Sequence, residues 1–407
     1  MNIINKIFST YKKAYIGLPI QAWYIAVVAF VNYSGAMVHF FLALYLTQKF
    51  NFTTAQAGFA VGMWGFGALF GSITGGRLAD LIGSYNTLKL CLLGEGINIL
   101  ILGNVSSHSM ILAFIFLVGF FHSFGFPSAS TAFAQICPKD KQSQGYALLR
   151  LAVNLGMSIG PAIGGFLILI NYKLIFYIDG LTCISAFFVF TIITIKYPNN
   201  LKVKKETNIK GPNITPLKDV YFLKILGLIF FIDLVFAQLF STLPLYFKNI
   251  YHLKENFIGL SISINTIIIV MFEMILISSI TKFSKTKVAA IGSFLVCFGY
   301  FALPFGHGFI YAISTVLIWT LGEMLAFPTL TALTASIASD NAKGKYMGLY
   351  AFTFSLAFML GPFIGTLIYS KLSPNILWYS CGLIGLFVFI GFHFIKDSNK
   401  NNSSTSN

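Results

Sequence analysis

A chain of 407 residues that is 57% hydrophobic, 16% aromatic and 10% charged, with a mean hydropathy of +0.80, lies far outside the composition of a soluble domain. Stretch after stretch of about 20 residues carries one charge or none, enough to cross a ~30 Å hydrocarbon layer as helix, which excludes a soluble enzyme, a nucleic-acid reader and a disordered scaffold. The formal charge of +15 does not call for nucleic acid, because its 27 cations are spread along the chain and not gathered on one soluble face.

The chain opens on 18 residues with Lys6, Lys12 and Lys13, followed by an apolar run too long for a signal-peptide core and without a small-residue cleavage site, so this run is expected to stay as the first span. Hydropathy then places spans near 20–47, 55–79, 87–105, 110–136, 144–170, 174–196, 221–247, 256–280, 288–305, 310–337, 345–370 and 376–395, twelve in all. With the amino terminus in the cytoplasm, 22 Lys and Arg fall on the cytoplasmic side and five, Lys49, Lys173, Lys248, Lys254 and Lys371, on the other. That imbalance puts both termini in the cytoplasm and explains the basic balance by topology and attraction to anionic headgroups. The polar stretch 198–219 reads as a flexible connector, leaving 1–197 and 220–407 as two six-helix bundles. Cys91, Cys137, Cys183, Cys297 and Cys381 stand singly, without the paired spacing of metal or redox sites, and read as packing residues.

A repeat joins the two halves. Phe126-Pro127 recurs as Phe327-Pro328, and Gly160-Pro161 with Gly164 as Gly361-Pro362 with Gly365, each 201 residues on. With an even number of spans per unit, both copies insert in the same orientation, giving an all-α membrane protein of two pseudo-symmetric bundles with a site near the midplane between them. Across the repeat, Asn32 matches Asp233, Ser72 matches Glu273 and His122 matches Glu323, so the second half carries a carboxylate at each of these positions. Intramembrane carboxylates must be paired, protonated or wetted, which marks Asp233, Glu273 and Glu323 as candidates for a coupling or substrate site.

Over nearly its whole length the chain resembles the major facilitator superfamily. The loop Gly76-Arg77-Leu78-Ala79-Asp80-Leu81-Ile82-Gly83 is similar to the superfamily signature between helices 2 and 3, and GMSIGPAIGG at 156–165 is similar to the antiporter motif of the drug:proton antiporter branch. The signature normally continues with several arginines, where this chain has only Lys89; Gly119 stands where an embedded helix 4 arginine is usual, and His122 where glutamine is common. Proton coupling would then rest on other groups or be absent.

The resemblance implies that Gly76, Arg77, Asp80 and Gly83 form a conformational latch, with Asp80 meeting the amino end of helix 11; the plainer alternative is a solvated boundary aspartate. Gly156, Gly160, Pro161, Gly164 and Gly165 give helix 5 a face for close approach, serving rocking contacts or static packing alike, and Gly58, Gly62, Gly67, Gly71 and Gly75 stripe helix 2 in the same way. Glu323, in helix 10, is expected to line the cavity with His122 as its partner, against a structural hydrogen bond between bundles. Asp233 and Glu273 are expected there too, Asp233 sharing a ligand with Asn32, against pairing within the bundle. Glu95 and Asp179 read as structural pairs, Arg150 as a neutraliser of an acid or a snorkelling cation, Asn154, Trp64 and Trp319 as cavity-wall residues, and Trp23 and Trp378 as interface anchors.

These readings lead to a secondary transporter exporting an amphiphilic small molecule in exchange for protons, a monomer in a bacterial-type inner membrane. No GxxxxGK[ST] stretch provides for ATP, and no cofactor, metal site, nucleic-acid partner or catalytic constellation is expected. The alternatives are a proton-coupled importer of a peptide, sugar or siderophore, and a lipid flippase or sensor on the same fold.

Overall fold

The computed structural model describes residues 15–138, 141–196, 216–338 and 342–395, and its regular elements are all helical among these residues. Span 1 is Ile20–Ser34 and, after a break, Val38–Lys49; span 2 is Thr54–Ile82, span 3 Ser84–Leu102, and span 4 His108–His122 continued by Gly125–Ile136. Spans 5 and 6 are Gln142–Ile170 and Lys173–Lys196, and span 7 runs Val220–Phe236, through a 3-10 turn at Ala237–Phe240, to Thr242–Asn249. Spans 8 to 12 are Glu255–Ile280, Lys285–Phe301, Phe309–Ile337, Lys343–Lys371 and Pro374–Phe394.

Ten helical segments are long and apolar enough to cross a bilayer. The other two expected spans are shorter as continuous helix: span 4 is divided at Ser123–Phe124, and span 9 has 17 residues, starting at Lys285 and stopping before the 3-10 turn Leu303–Phe305. Outward-facing apolar side chains, among them Ile170, Ile310 and Leu383, would be covered by lipid.

The repeat is written into the backbone. Helices begin at Thr54, Ser84, His108, Gln142 and Lys173, and again 201 residues later at Glu255, Lys285, Phe309, Lys343 and Pro374. Spans 1 and 7 also break at matching positions. Packing follows suit: 1 lies against 5 and 6, 2 against 4, and 3 against 4 and 6, while 7 lies against 11 and 12, 8 against 10, and 9 against 10 and 12. Two further contacts, 5 with 8 and 2 with 11, join the halves and are themselves related by the repeat. We propose the boundary between halves at 198–219. The part of that connector before Pro216 lies outside the described residues; at its end Asp219 caps span 7, its carboxylate accepting from the Phe222 amide at 3.0 Å.

The apolar core shows how the halves sit together. At the end of the bundle remote from the termini, one core runs through both halves, from Phe41 and Trp64 to Phe240 and Tyr246. Toward the terminal end it separates into two cores, one around Phe133 and Leu149 and the other around Ile229 and Leu330. Trp378, expected as an interface anchor, belongs to the shared core: it is fully buried and packs on Tyr300 and Tyr246 with ring centroids 5.8 and 5.3 Å away. The five cysteines are buried and unpaired by disulfides.

Glycines set the approach of the spans. A Cβ on Gly156 would meet span 1 backbone at Phe30 and Ser34, and one on Gly160 would meet Ala36, each at 2.9 Å. Gly164 packs on Met37, and Gly165, on the far side of the helix, lies against Glu255 and Asn256 of span 8. The motif therefore serves two contacts, one within the first half and one between halves. Span 2 is similarly two-faced, with Gly58, Gly62 and Gly65 against span 11, and Gly67, Gly71 and Gly75 against the Phe116–Phe124 stretch of span 4. A Cβ on Gly119 would collide with the Trp64 carbonyl, which leaves no room for the arginine usual there.

Candidate functional site

Arg150 stands about two turns into span 5 from its terminal end and reaches across to span 8. Its Nε donates to Glu273 Oε2 at 2.9 Å and its NH2 to Glu273 Oε1 at 2.6 Å, the planar fork matching both carboxylate oxygens. Glu323, in the middle of span 10, accepts from Asn265 Nδ2 of span 8 at 2.9 Å, and that amide also donates to Thr320 Oγ1 at 2.9 Å. Arg150 and Glu273 both lie close enough to Glu323 to act on its charge. The Arg150–Glu273 pair thus sits on the seam between halves in the terminal third of spans 5 and 8, and Glu323 lies deeper, at mid-depth within the second half. Arg150 also acts electrostatically on Tyr350 of span 11, whose hydroxyl is 3.2 Å from that of Thr331.

Asp233 of span 7 is 1% exposed, and neither of its oxygens has a hydrogen-bond partner among the described residues. Tyr350 is within its electrostatic reach. The expectation that Asp233 and Asn32 share a ligand is not met, because Asn32 lines a cavity inside the first half with Glu95 and His122. His122 is likewise not the partner of Glu323. Span 4 ends its first helix at His122 and turns the ring toward span 3, where Nδ1 is 2.7 Å from Glu95 Oε1. The other acid expected to be structural, Asp179 of span 6, caps the second helix of span 1: its Oδ2 accepts from the Met37 and Val38 amides, both at 3.0 Å. The break in span 1 leaves those amides without carbonyl partners, and Asp179 supplies one.

Trp64, expected as a cavity-wall residue, is buried in the shared core, stacked on His39 of span 1 with centroids 4.2 Å apart. His39 stacks in turn on Phe240 of span 7 at 4.2 Å, so a three-ring sandwich crosses between halves at mid-depth. Trp319 is not a wall residue. It is buried between spans 9 and 10, where glycine at 299 lets the span 10 backbone come close and the indole stacks on Tyr300. Asn154, partly buried, lies one turn beyond Arg150.

A second polar contact closes the far end. Tyr172, in the short link between spans 5 and 6, shares its hydroxyl proton between Gln48 Oε1 of span 1 at 2.6 Å and Glu255 Oε1 of span 8 at 3.4 Å. Lys248 pairs with the same Glu255 oxygen at 2.7 Å, and the Lys49 ammonium sits 5.5 Å over the Tyr172 ring. Burial first, then the charge and hydrogen bond of Glu255, push the Tyr172 phenol well above its usual range, so it remains a donor.

At the terminal end spans 2 and 11 part, while Tyr15 still reaches Met274 of span 8, its hydroxyl 3.9 Å from the sulfur. No described atom lies within 4 Å of a Cβ position on Gly76 of span 2 or on Gly344 and Gly348 of span 11. Asp80 and Arg77 are exposed, and the expected meeting of Asp80 with the amino end of span 11 is absent among the described residues. Its physical reason is this separation: spans 2 and 11 touch at Gly58–Gly65 and diverge beyond. Gly83, with φ +85°, makes the sharp turn from span 2 to span 3.

The signature and antiporter motifs are legible in the sequence, whereas His39, Tyr172 and Glu255 carry no motif. The 201-residue offset offered one signal for His39, since it falls opposite Phe240 of the matching break.

Comparison with known proteins agrees with this architecture. The family description "Major Facilitator Superfamily" matches residues 25–358 and 325–407. The chain is 21% identical over 357 residues to the uncharacterized MFS-type transporter YhjO of Bacillus subtilis, covering 85% of this chain and 86% of that one. It is 20% identical to the Na(+), Li(+), K(+)/H(+) antiporter of Planococcus maritimus, with 82% and 85% covered. It is also 20% identical to the quinolone resistance protein NorA of Staphylococcus aureus, with 79% and 83% covered. Among solved structures, a POT family transporter in complex with 5-aminolevulinic acid superposes with a TM-score of 0.79 at 15% identity, covering 94% of this chain and 98% of that one.

Proposed function

The chain belongs to the Major Facilitator Superfamily and is a multi-pass membrane transporter; from that premise we propose that it exports small amphiphilic molecules across a bacterial inner membrane in exchange for protons. The 22-to-5 distribution of Lys and Arg favours the terminal end as the cytoplasmic one. The arrangement described is then open to the cytoplasm and shut outside by the Tyr172 contact and the shared core.

The observation that carries the reading is that Glu323, at mid-depth in span 10, is held by a single side-chain amide, with the Arg150–Glu273 pair on the seam nearer the terminal end. A carboxylate held by one neutral hydrogen bond exchanges a proton at lower cost than one locked in an ion pair. When the halves rock, the distance from span 5 to span 8 changes, and with it the charge felt by Glu323. Binding a lipophilic substrate and binding a proton then favour opposite openings, which is the requirement for exchange. The names of relatives, a quinolone resistance protein and a cation/proton antiporter, support export and antiport.

Flux of a lipophilic fluorescent cation across proteoliposomes with an imposed pH gradient tests this, comparing Glu323→Gln, Asp233→Asn and Glu273→Gln at equal protein content. Expected is gradient-driven movement toward the side of higher proton concentration by the parent, lost in at least the Glu323 variant. Full flux in all three variants would overturn the coupling assignment. Flux with the protons would install the importer reading, and lipid movement without ion-driven flux the flippase.

A further inference from the structure

The first half contains a mainly apolar cavity with one polar corner that the proton-exchange reading does not use. It has a volume of about 30 Å³ and is bounded by Asn32 and Tyr33 of span 1, Cys91 and Glu95 of span 3, and His122 of span 4, with apolar side chains from spans 1, 3 and 5 around them. Glu95 is 4% exposed and Asn32 8%. One oxygen of Glu95 is taken by His122, but the other, Oε2, is buried without a partner, and so is Asn32 Oδ1.

Both unsatisfied atoms are acceptors, and each left bare costs about 1–3 kcal/mol. Their chemistry asks for something positive between them. The cavity exceeds the roughly 10–15 Å³ that one water needs, so it has room for a small ion with a water attached. Carboxylate and amide oxygens are hard ligands, suited to alkali and alkaline-earth ions and ill suited to the soft or tetrahedral metals. No cluster of three or more His, Cys, Asp and Glu able to hold a metal occurs among the described residues, which argues against zinc or copper. With the His122 ring neutral and its Nδ1–H donated to Oε1, the carboxylate balances a single positive charge, which argues against calcium and magnesium.

We infer that this cavity binds one monovalent alkali cation, with Glu95 Oε2 and Asn32 Oδ1 as protein ligands and His122 as the positioning residue that fixes the Glu95 carboxylate. The ion would tie span 1 to span 3 just before the break at Gly35, where Asp179 already caps the continuing helix. It is a second site, in the other half from Glu323.

Binding of ²²Na⁺ to the full-length protein in detergent micelles, with choline as the balancing cation, tests the inference. Saturable binding near one ion per chain is expected, weakened at least about tenfold by Glu95→Gln and by Asn32→Leu and unaltered by Glu323→Gln, whose failure to transport would concern the other site alone. Unlabelled Na⁺, Li⁺ or K⁺ should displace the label, and methylammonium should not; displacement by methylammonium as readily as by the alkali ions would reassign the site and overturn the inference. Absence of saturable binding, or binding indifferent to Glu95→Gln, would mean that water fills the cavity. Should Glu95→Gln fail to fold, Asn32→Asp supplies the test: a second carboxylate should tighten binding about tenfold, and unchanged affinity would overturn the site.

Discussion

The guanidinium of Arg150 and the carboxylate of Glu273 form a two-point fork from span 5 to span 8, and among the described residues theirs is the ion pair that links the halves. The two partners are unequally buried, with side-chain exposures of 42% for Arg150 and 10% for Glu273. An arginine that loses its partner can turn toward the open terminal end and be hydrated. A carboxylate that loses its partner is left in a poorly hydrated seam next to Glu323. The pair is therefore asymmetric in what its removal does.

Arg150→Ala should destabilise the protein by about 3 kcal/mol, the usual cost of stranding a buried charge, and Glu273→Ala by about 1 kcal/mol or less. The double variant should recover part of the loss of Arg150→Ala, because no lone carboxylate remains. Thermal unfolding of the three variants in micelles checks the order. Equal losses from the two single changes would show that Arg150 is no freer than its partner.

Tyr172→Phe removes the proton shared by Gln48 and Glu255 while keeping the ring under Lys49. One to two hydrogen bonds of this kind are worth about 1–3 kcal/mol together, enough to shift a two-state equilibrium by a factor of ten or more. The far end should open more often. Spin labels at Ser106→Cys of the first half and Leu372→Cys of the second should show a longer-distance population growing in the Tyr172→Phe protein, and an unchanged distance distribution would remove the contact from any gating role.

The fold was largely legible because its cause is written along the chain: twelve apolar runs, the asymmetry of Lys and Arg, and a repeat whose offset survives in five paired helix starts, from Thr54 with Glu255 to Lys173 with Pro374. Partnerships were less legible. That Glu95 and not Glu323 would meet His122 depends on which way a ring turns at the end of a half-helix, and hydropathy is silent about that. Trp319 and Trp378 were misplaced for a related reason: a tryptophan's depth can be read from the sequence, but the close approach allowed by Gly299 belongs to another span. The Asp80 latch is a different case. Asp80 is exposed in the arrangement described, and a motif gives the residues of a contact without the conformation in which they would meet.

Gly62 offers a steric test of the far-end contact. A Cβ there would stand 2.7 Å from the Met359 carbonyl oxygen of span 11, a backbone atom that yields only if the whole span moves. Gly62→Ala should insert and fold, since its other neighbours lie within loose reach, but should disfavour the closed far end by about 1–3 kcal/mol. The spin-label pair used for Tyr172 should report the same lengthened population, and transport should fall several-fold because one of the two alternating states is penalised. Gly76→Ala, with no described atom within 4 Å, should leave the distances unchanged in this state.

Asp233 separates a coupling role from a packing role most sharply. Its carboxylate is buried with both oxygens unpartnered among the described residues, an arrangement that lowers stability whatever its role. Asp233→Asn keeps the shape and removes the ionisable group, so the folded protein should be as stable as the parent or more so, by up to about 1–3 kcal/mol. If Asp233 carries protons, accumulation driven by a pH gradient should be lost while substrate exchange at equal pH on both sides persists, because exchange needs the substrate-bound transition and not the release of a proton. If Asp233 only packs span 7, both activities should persist together. Measuring gradient-driven accumulation and equal-pH exchange on the same proteoliposomes distinguishes the outcomes, and a variant that loses both despite normal stability would place Asp233 against the substrate itself.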